Sequence, residues 1–226
     1  LEEAVKRILA TKAAMKLPQK KAEGTLVPGP EALDILKCEK HDIWAKECAD
    51  EGVTLVKDTQ NLLPLNPEKQ KRVLLEIMGD FSSNERVTAY FKGKLESEGF
   101  EVTVYEKEGF EVMEDTVESF KSRYDLVLYL ANIETASNKT VSRLNWHTMF
   151  GLGNNMPWMV YELPVAFISI GNPYHLLDAP MVKTYINGYC NSEYVMDAVV
   201  EKMMGRSEFK GTSPIDPFCG KLDLRF

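Results

Sequence analysis

Six short apolar stretches punctuate this chain and limit what it can fold into: VTLVK (53–57), RVLLEIM (72–78), EVTVYE (101–106), DLVLYLA (125–131), VAFISI (165–170) and TYING (184–188). Each is rich in β-branched or aromatic residues and short enough to be a strand. Most lack the polar alternation of a half-solvated sheet, so both of their faces must be covered. Helix-like stretches fall between them, over 34–51, 84–98, 110–123, part of 150–161, and 191–204. In the first, Ile35, Ile43, Trp44 and Cys48 form the apolar side. In the last, Asn191 or Ser192 is placed to cap, Val195, Ala198, Val199 and Met203 share a face, and Gly205 follows the end. Strands alternating with helices predict an α/β fold, a three-layer α/β/α sandwich around a mostly parallel sheet of about six strands.

The N-terminal segment does not belong to that alternation. Leu1, Val5, Ile8 and Leu9 make one helical stripe that stops before Pro18. LPQKKAEGTLVPGPEA follows, with prolines, glycines and no apolar period, and reads as an extended connector. An amphipathic helix with no neighbour to cover it predicts the tail of an earlier domain. The expected division is therefore 1–17 as that terminal helix, 18–33 as a linker and 34–226 as the sandwich.

Charge and composition exclude several classes. Lys and Arg number 27 against 34 Asp and Glu, a net charge of -7, which argues against nucleic acid as a partner. No apolar run reaches the roughly 18–20 residues of a membrane helix. Cys38, Cys48, Cys190 and Cys219 form no C-x-x-C pair, and are expected to be free structural thiols in a reducing, cytoplasmic setting. His41, His147 and His175 are too scattered in sequence to predict a metal. GLGNNM (151–156) lacks the third glycine of a dinucleotide fingerprint, so no cofactor is expected. Serine-nucleophile, phosphate-loop and zinc-protease signatures are absent. Asn138-Lys139-Thr140 is a formal glycosylation sequon, read as coincidence in a chain with this cysteine usage.

In a sheet of this kind ligands meet the loops at the carboxyl ends of the strands. The longest, 132–149, combines Glu134 with Arg143, Asn145, Trp146 and His147. Such a set suits a sugar, with a carboxyl for proton transfer or hydrogen bonding, a guanidinium for hydroxyls and an indole for the apolar ring face. The same residues also suit anchoring, Arg143 on a backbone carbonyl and Trp146 in the core. Asn172, in the GNPY turn at another strand end, is either a helix cap or a ligand contact, as is Tyr174 for the latter role.

Taken in order, LEEAVKRILATKAAMKL, ECADEGVTLVKDTQNLLPL and VAFISIGNPYHLLDAPMVKTYINGYCNSEYVMDAVVEKMMGRSEFKGTSPI resemble the C-terminal domain of glycoside hydrolase family 3, the β-glucosidase and β-N-acetylglucosaminidase family, together with the last helix of the (β/α)8 barrel before it. The resemblance implies a retaining glycosidase whose aspartate nucleophile lies on the barrel, so that this domain lines the cleft and is inactive alone. Its implied partners are its own barrel and a carbohydrate. In glucosidase-like members a glutamate from this domain is the acid/base, and Glu134 occupies roughly that place. In N-acetylglucosaminidase-like members a histidine on the barrel serves instead. No Gly-Asp pair follows Glu134 here, a departure that points to the second group or a divergent one, with Arg143, Trp146, His147 and Asn172 as substrate contacts. Two other readings compete. One is a free-standing carbohydrate-binding or structural module, and the other a flavodoxin-like nucleotide or flavin protein.

Overall fold

All six expected strands form, in a single sheet of order β1-β6-β5-β4-β2-β3. They are β1 (Thr54–Asp58), β2 (Arg72–Met78), β3 (Glu101–Val104), β4 (Leu126–Ala131), β5 (Val165–Ser169) and β6 (Thr184–Asn187). In this computed structural model the residues described are 1–36, 38–79, 84–106, 116–135, 143–144 and 161–226. Every pairing is parallel except that of β1 with β6. The chain divides into two units, Leu1–Trp44 and Ala45–Phe226.

The first unit holds α1 (Glu2–Ala14), α2 (Leu17–Ala22), a 3-10 turn at Pro30–Ile35 and the start of α3 (Glu39–Gly52). α1 buries none of its residues, and its stripe of Leu1, Val5, Ile8 and Leu9 is exposed. α2 forms where an extended connector was expected: Pro18 sits in its first turn, where a missing N–H costs no hydrogen bond. α3 begins later than the pattern predicts, because residues 30–35 make the 3-10 turn. Its expected apolar side is not the buried one. Ile35, Ile43, Trp44 and Cys48 are exposed, and within α3 only Ala49 is buried.

In the second unit, the two faces of the sheet take alternate residues of each strand, as the two-residue period of a strand requires. One face carries Val73, Leu75, Leu128, Leu130, Ile168 and Ile186 against Val87, Phe91 and Leu95 of α4 (Asn84–Ser97) and Met196, Val199 and Met203 of α6 (Glu193–Met203). The other carries Leu74, Met78, Val127, Val165 and Phe167 against Phe120 of α5 (Val117–Arg123), Leu176 and Leu224. α5 opens with a capping box between Thr116 and Ser119, and α6 with Ser192 accepting from the Val195 amide. Gly205 ends α6 at a positive φ of 74°.

One row of side chains crosses five strands in register: Lys57, Tyr185, Phe167, Tyr129 and Glu76. The three rings stack, with centroids 6.3 Å and 5.3 Å apart. A bulge between Leu55 and Lys57 turns the lysine into this row, where its ammonium donates to the carbonyls of Pro180 (3.2 Å) and Leu224 (3.0 Å). At the far end Glu76 is buried, and its Oε1 has no partner among the described residues.

The DTQNLLPL stretch after β1 is a staple. Asp58 accepts from the Leu62 (3.0 Å) and Leu63 (3.1 Å) amides and from the Thr184 hydroxyl (2.7 Å), while Gln60 donates to Val165 O (2.7 Å). At the other end of the domain the Lys202 ammonium is buried between Asp50 (2.8 Å), Ser207 Oγ (3.0 Å) and Glu208 O (2.6 Å). It ties the segment after α6 to α3. The four cysteines are free, but Cys48, Cys190 and Cys219 are exposed rather than packed in the core.

Two of these groups should show in unfolding experiments. Burial lifts the Glu76 carboxyl well above its usual range, so its contribution to stability is present below the unfolded value of about 4.3 and lost as pH rises. Urea denaturation is expected to show a stability loss of up to about 1.4 kcal/mol per pH unit above that point, flattened in Glu76→Gln. The Lys202 hydrogen bond holds Asp50 down at about 2, so its contribution is present above about pH 4 and lost as pH falls toward 2. Because Asp50 is 35% exposed, Lys202→Met should cost about 2 kcal/mol, less than breaking a fully buried pair, as read from the urea midpoint.

Candidate functional site

The chain adds β3 on one side of β2 and then returns to place β4 on the other, so the sheet has its switch point at β2 and β4. Ligand crevices form beside such points, at the carboxyl ends of the strands. There the exits of β2, β4, β5 and β6 are stitched together by backbone hydrogen bonds. Asn132 N donates to Met78 O (2.8 Å), Ile170 N to Ala131 O (3.0 Å), Asn172 N to Ile133 O (3.1 Å) and Gly188 N to Ser169 O (2.7 Å). Gly171 permits a close approach, since a Cβ there would lie 2.5 Å from Ile133 O. Gly79, at a φ of 124°, does the same against Asn132 O.

Beneath these turns lies a chain of asparagines, of which the sequence pattern pointed only to Asn191, and to it only as a helix cap. Asn84 donates to Gly79 O (2.7 Å), Asn132 to Asn84 Oδ1 (2.7 Å) and Asn191 to Asn132 Oδ1 (3.0 Å), linking the exits of β2, β4 and β6. The 171–174 turn is held from below in the same way. Ser169 Oγ donates to Asn172 O (2.6 Å) and lies 3.0 Å from His175 Nδ1. A hydroxyl has one proton, so the histidine must be the donor to Ser169, which makes the pair a brace and not a nucleophile with its base. Asn187 Nδ2 donates to Pro173 O (3.4 Å), and the Tyr174 amide to Asn172 Oδ1 (2.9 Å). Burial pushes the neighbouring Tyr185 phenol well up.

Above the braced turns is an open cavity of about 390 Å³, lined by Glu134, Thr135, Gly171, Asn172, Pro173, Tyr174 and Tyr189. Glu134 is half-buried, and its carboxylate makes no hydrogen bond or ion pair among the described residues. The hydroxyls of Thr135 and Tyr174 are equally unengaged, whereas that of Tyr189 donates to Thr54 Oγ1 (3.1 Å) and helps to hold a non-glycine residue at a φ of 65°. No cation lines the cavity among the described residues. A second cavity of about 330 Å³ lies by α3, α4 and α6, but its walls carry ion pairs, Lys94 with Asp197 (2.8 Å) and Glu201 with Arg206 (2.8 Å). Each of the described carboxylates lining it is already paired with a lysine or arginine. No group of His, Cys, Asp or Glu among the described residues is arranged to hold a metal ion.

Of the residues singled out from sequence, Glu134 and Asn172 meet at the cavity. Arg143 does not line it: its guanidinium is paired with Asp178, which also accepts from the Leu144 amide (3.1 Å), while Leu144 is buried in the core. Trp146 and His147 lie outside the described residues, as do Asn145, the 138–140 sequon and GLGNNM.

No protein-family model matches the chain. A Cellulomonas fimi protein described as a β-N-acetylglucosaminidase/β-glucosidase is 38% identical over 230 residues, covering 99% of this chain and 40% of its own length. The structure of a β-glucoside phosphorylase, BglX, is 43% identical with a TM-score of 0.84, covering 99% of this chain and 39% of that one. A family 3 β-N-acetylglucosaminidase from Paenibacillus sp. str. FPU-7, at 17% identity and a TM-score of 0.55 over 93% of this chain and 38% of its own, shares the fold. The chain thus spans about 40% of the length of the relatives it matches. With identity of this order along nearly all its residues, the chain belongs to glycoside hydrolase family 3 and corresponds to the C-terminal part of that family's enzymes.

Proposed function

We propose that this chain is the cleft-lining domain of a retaining β-glycosidase acting on N-acetyl-β-glucosaminides or β-glucosides, with the nucleophile on a barrel domain that residues 1–17 close. The observation that carries this reading is the unpaired Glu134 carboxylate in an open cavity at the carboxyl edge of the sheet, in a chain 38% identical to an enzyme named for those two sugars. Retaining cleavage needs two groups about 5–5.5 Å apart across the scissile bond. Among the described residues the cavity offers one carboxylate, and on this reading its partner comes from the barrel.

Among the described lining residues Glu134 has no second carboxylate or cation beside it, which favours hydrogen bonding to sugar hydroxyls over proton donation. The acid is then a barrel residue, as in the N-acetylglucosaminidase-like members. Asn172 contributes from the braced turn. Arg143 acts at one remove, holding its loop on Asp178, with Trp146 and His147 as further rim contacts. The 43% identity to a phosphorylase favours a second reading, in which phosphate replaces water in attacking the glycosyl-enzyme and a sugar 1-phosphate leaves. Free, exposed thiols suit a reducing, cytoplasmic setting. Among the described residues, no helix is long and apolar enough to cross a membrane.

The isolated 226-residue chain should show no turnover of aryl β-glucosides or aryl N-acetyl-β-glucosaminides, while the full-length protein does. Saturable turnover by the isolated chain would sink the division of labour. In the full-length protein, Glu134→Gln should raise KM about tenfold with kcat largely kept, the pattern of lost ground-state binding. A kcat loss of about 10²-fold or more, with the basic limb of the pH profile gone, would instead make Glu134 the acid/base.

A further inference from the structure

We infer that Tyr174 is a specificity-determining residue, a fixed platform on which the leaving-group sugar stacks as a neutral pyranose. The inference rests on the glycosidase reading above and adds the chemistry of one subsite to it. Three observations support it. Tyr174 is 44% exposed, and its phenol has no partner among the described residues, although its backbone is held on both sides. The brace is built from buried groups: Ser169 reaches Asn172 O at 2.6 Å and Asn187 reaches Pro173 O at 3.4 Å, while the Tyr174 amide is bound by Asn172 at 2.9 Å. A large apolar face is thereby presented to solvent on a rigid base, an arrangement with little to gain from solvent alone.

The cavity's other groups define the ligand. Glu134 and Thr135 offer an acceptor carboxylate and a hydroxyl, both unengaged, which suit the hydroxyl rim of a sugar. With Glu134 in the wall and no cation among the described lining residues, an anion such as phosphate is disfavoured. A ring with an apolar face and neutral hydroxyls satisfies both surfaces at once, and a volume of about 390 Å³ accommodates one pyranose.

The test uses the full-length protein and compares cellobiose or N,N′-diacetylchitobiose, which have a sugar leaving group, with the matching glycosyl fluoride, which has none. For Tyr174→Ala the ratio of kcat/KM for disaccharide to that for fluoride should fall about tenfold, a change equivalent to about 1.4 kcal/mol. Tyr174→Phe, which keeps the ring, should hold the ratio near the wild-type value. Thr135→Trp, which fills the cavity from an exposed position, should lower it as Tyr174→Ala does. An unchanged ratio in Tyr174→Ala overturns the inference, and so does loss with Phe equal to loss with Ala. If the full-length protein turns over neither substrate, the glycosidase reading fails on its own. Calorimetric binding of cellobiose then decides the subsite: weaker binding in Tyr174→Ala upholds a sugar site, and equal or absent binding removes it.

Discussion

Register across the sheet is the constraint on which the site depends. Lys57, Tyr185, Phe167, Tyr129 and Glu76 sit in one row because five strands agree on where they begin. A slip of one residue in any of them would send its whole buried set to the wrong face. The stacked rings fill the middle of the row, and the ammonium of Lys57 finds carbonyls at its edge. Since the strands end in step, the turns after β4, β5 and β6 come out level. Gly79, after β2, and Gly171, after β5, then bring their turns against the carbonyls of Asn132 and Ile133. The cavity floor follows from that alignment.

How polar groups are satisfied distinguishes the functional edge from the rest. Below the turns, Asn84, Asn132, Asn191, Ser169 and His175 are engaged with one another or with backbone. Above them, Glu134, Thr135 and the Tyr174 phenol have no partners among the described residues. A saturated lower layer supporting an unsaturated upper one is what preorganised binding requires, because the ordering is complete before a ligand arrives. The buried Glu76 and Tyr185 are a different matter. Among the described residues Glu76 Oε1 has no hydrogen-bond partner in the sheet's own core, where it costs stability, and the Tyr185 phenol is fully buried there.

Much of this was legible in the sequence, for reasons that differ by element. The six strands could be read because burial on both faces leaves unbroken apolar runs, and α6 because Ser192 and Gly205 mark its ends. α3 misled: Ile43 and Trp44 make an apolar face on paper, yet both are exposed and the burial falls to Ala49. α2 was overlooked because proline was counted as a breaker where it serves as an opener. At the site, Glu134 and Asn172 could be found because loops after parallel strands face ligands. The asparagine chain could not, as its members are far apart in sequence and meet only through topology. Arg143 was visible, but its partner Asp178 was not.

The antiparallel pairing of β1 with β6 bears on how the protein is made. Within this sheet β1 comes first in sequence and β6 last, so the first of its strands to be synthesised pairs with the last. Until β6 arrives, β1 has no neighbour in the sheet, and the Asp58 and Gln60 staple lacks Thr184 and Val165 to close on. Parallel pairing of β2 with β3 and β4 can proceed meanwhile, but the sheet remains open at one side. Closure of long loops is slow, and unpaired strands are prone to misassociation, so this edge is the part of a nascent chain most in need of shelter.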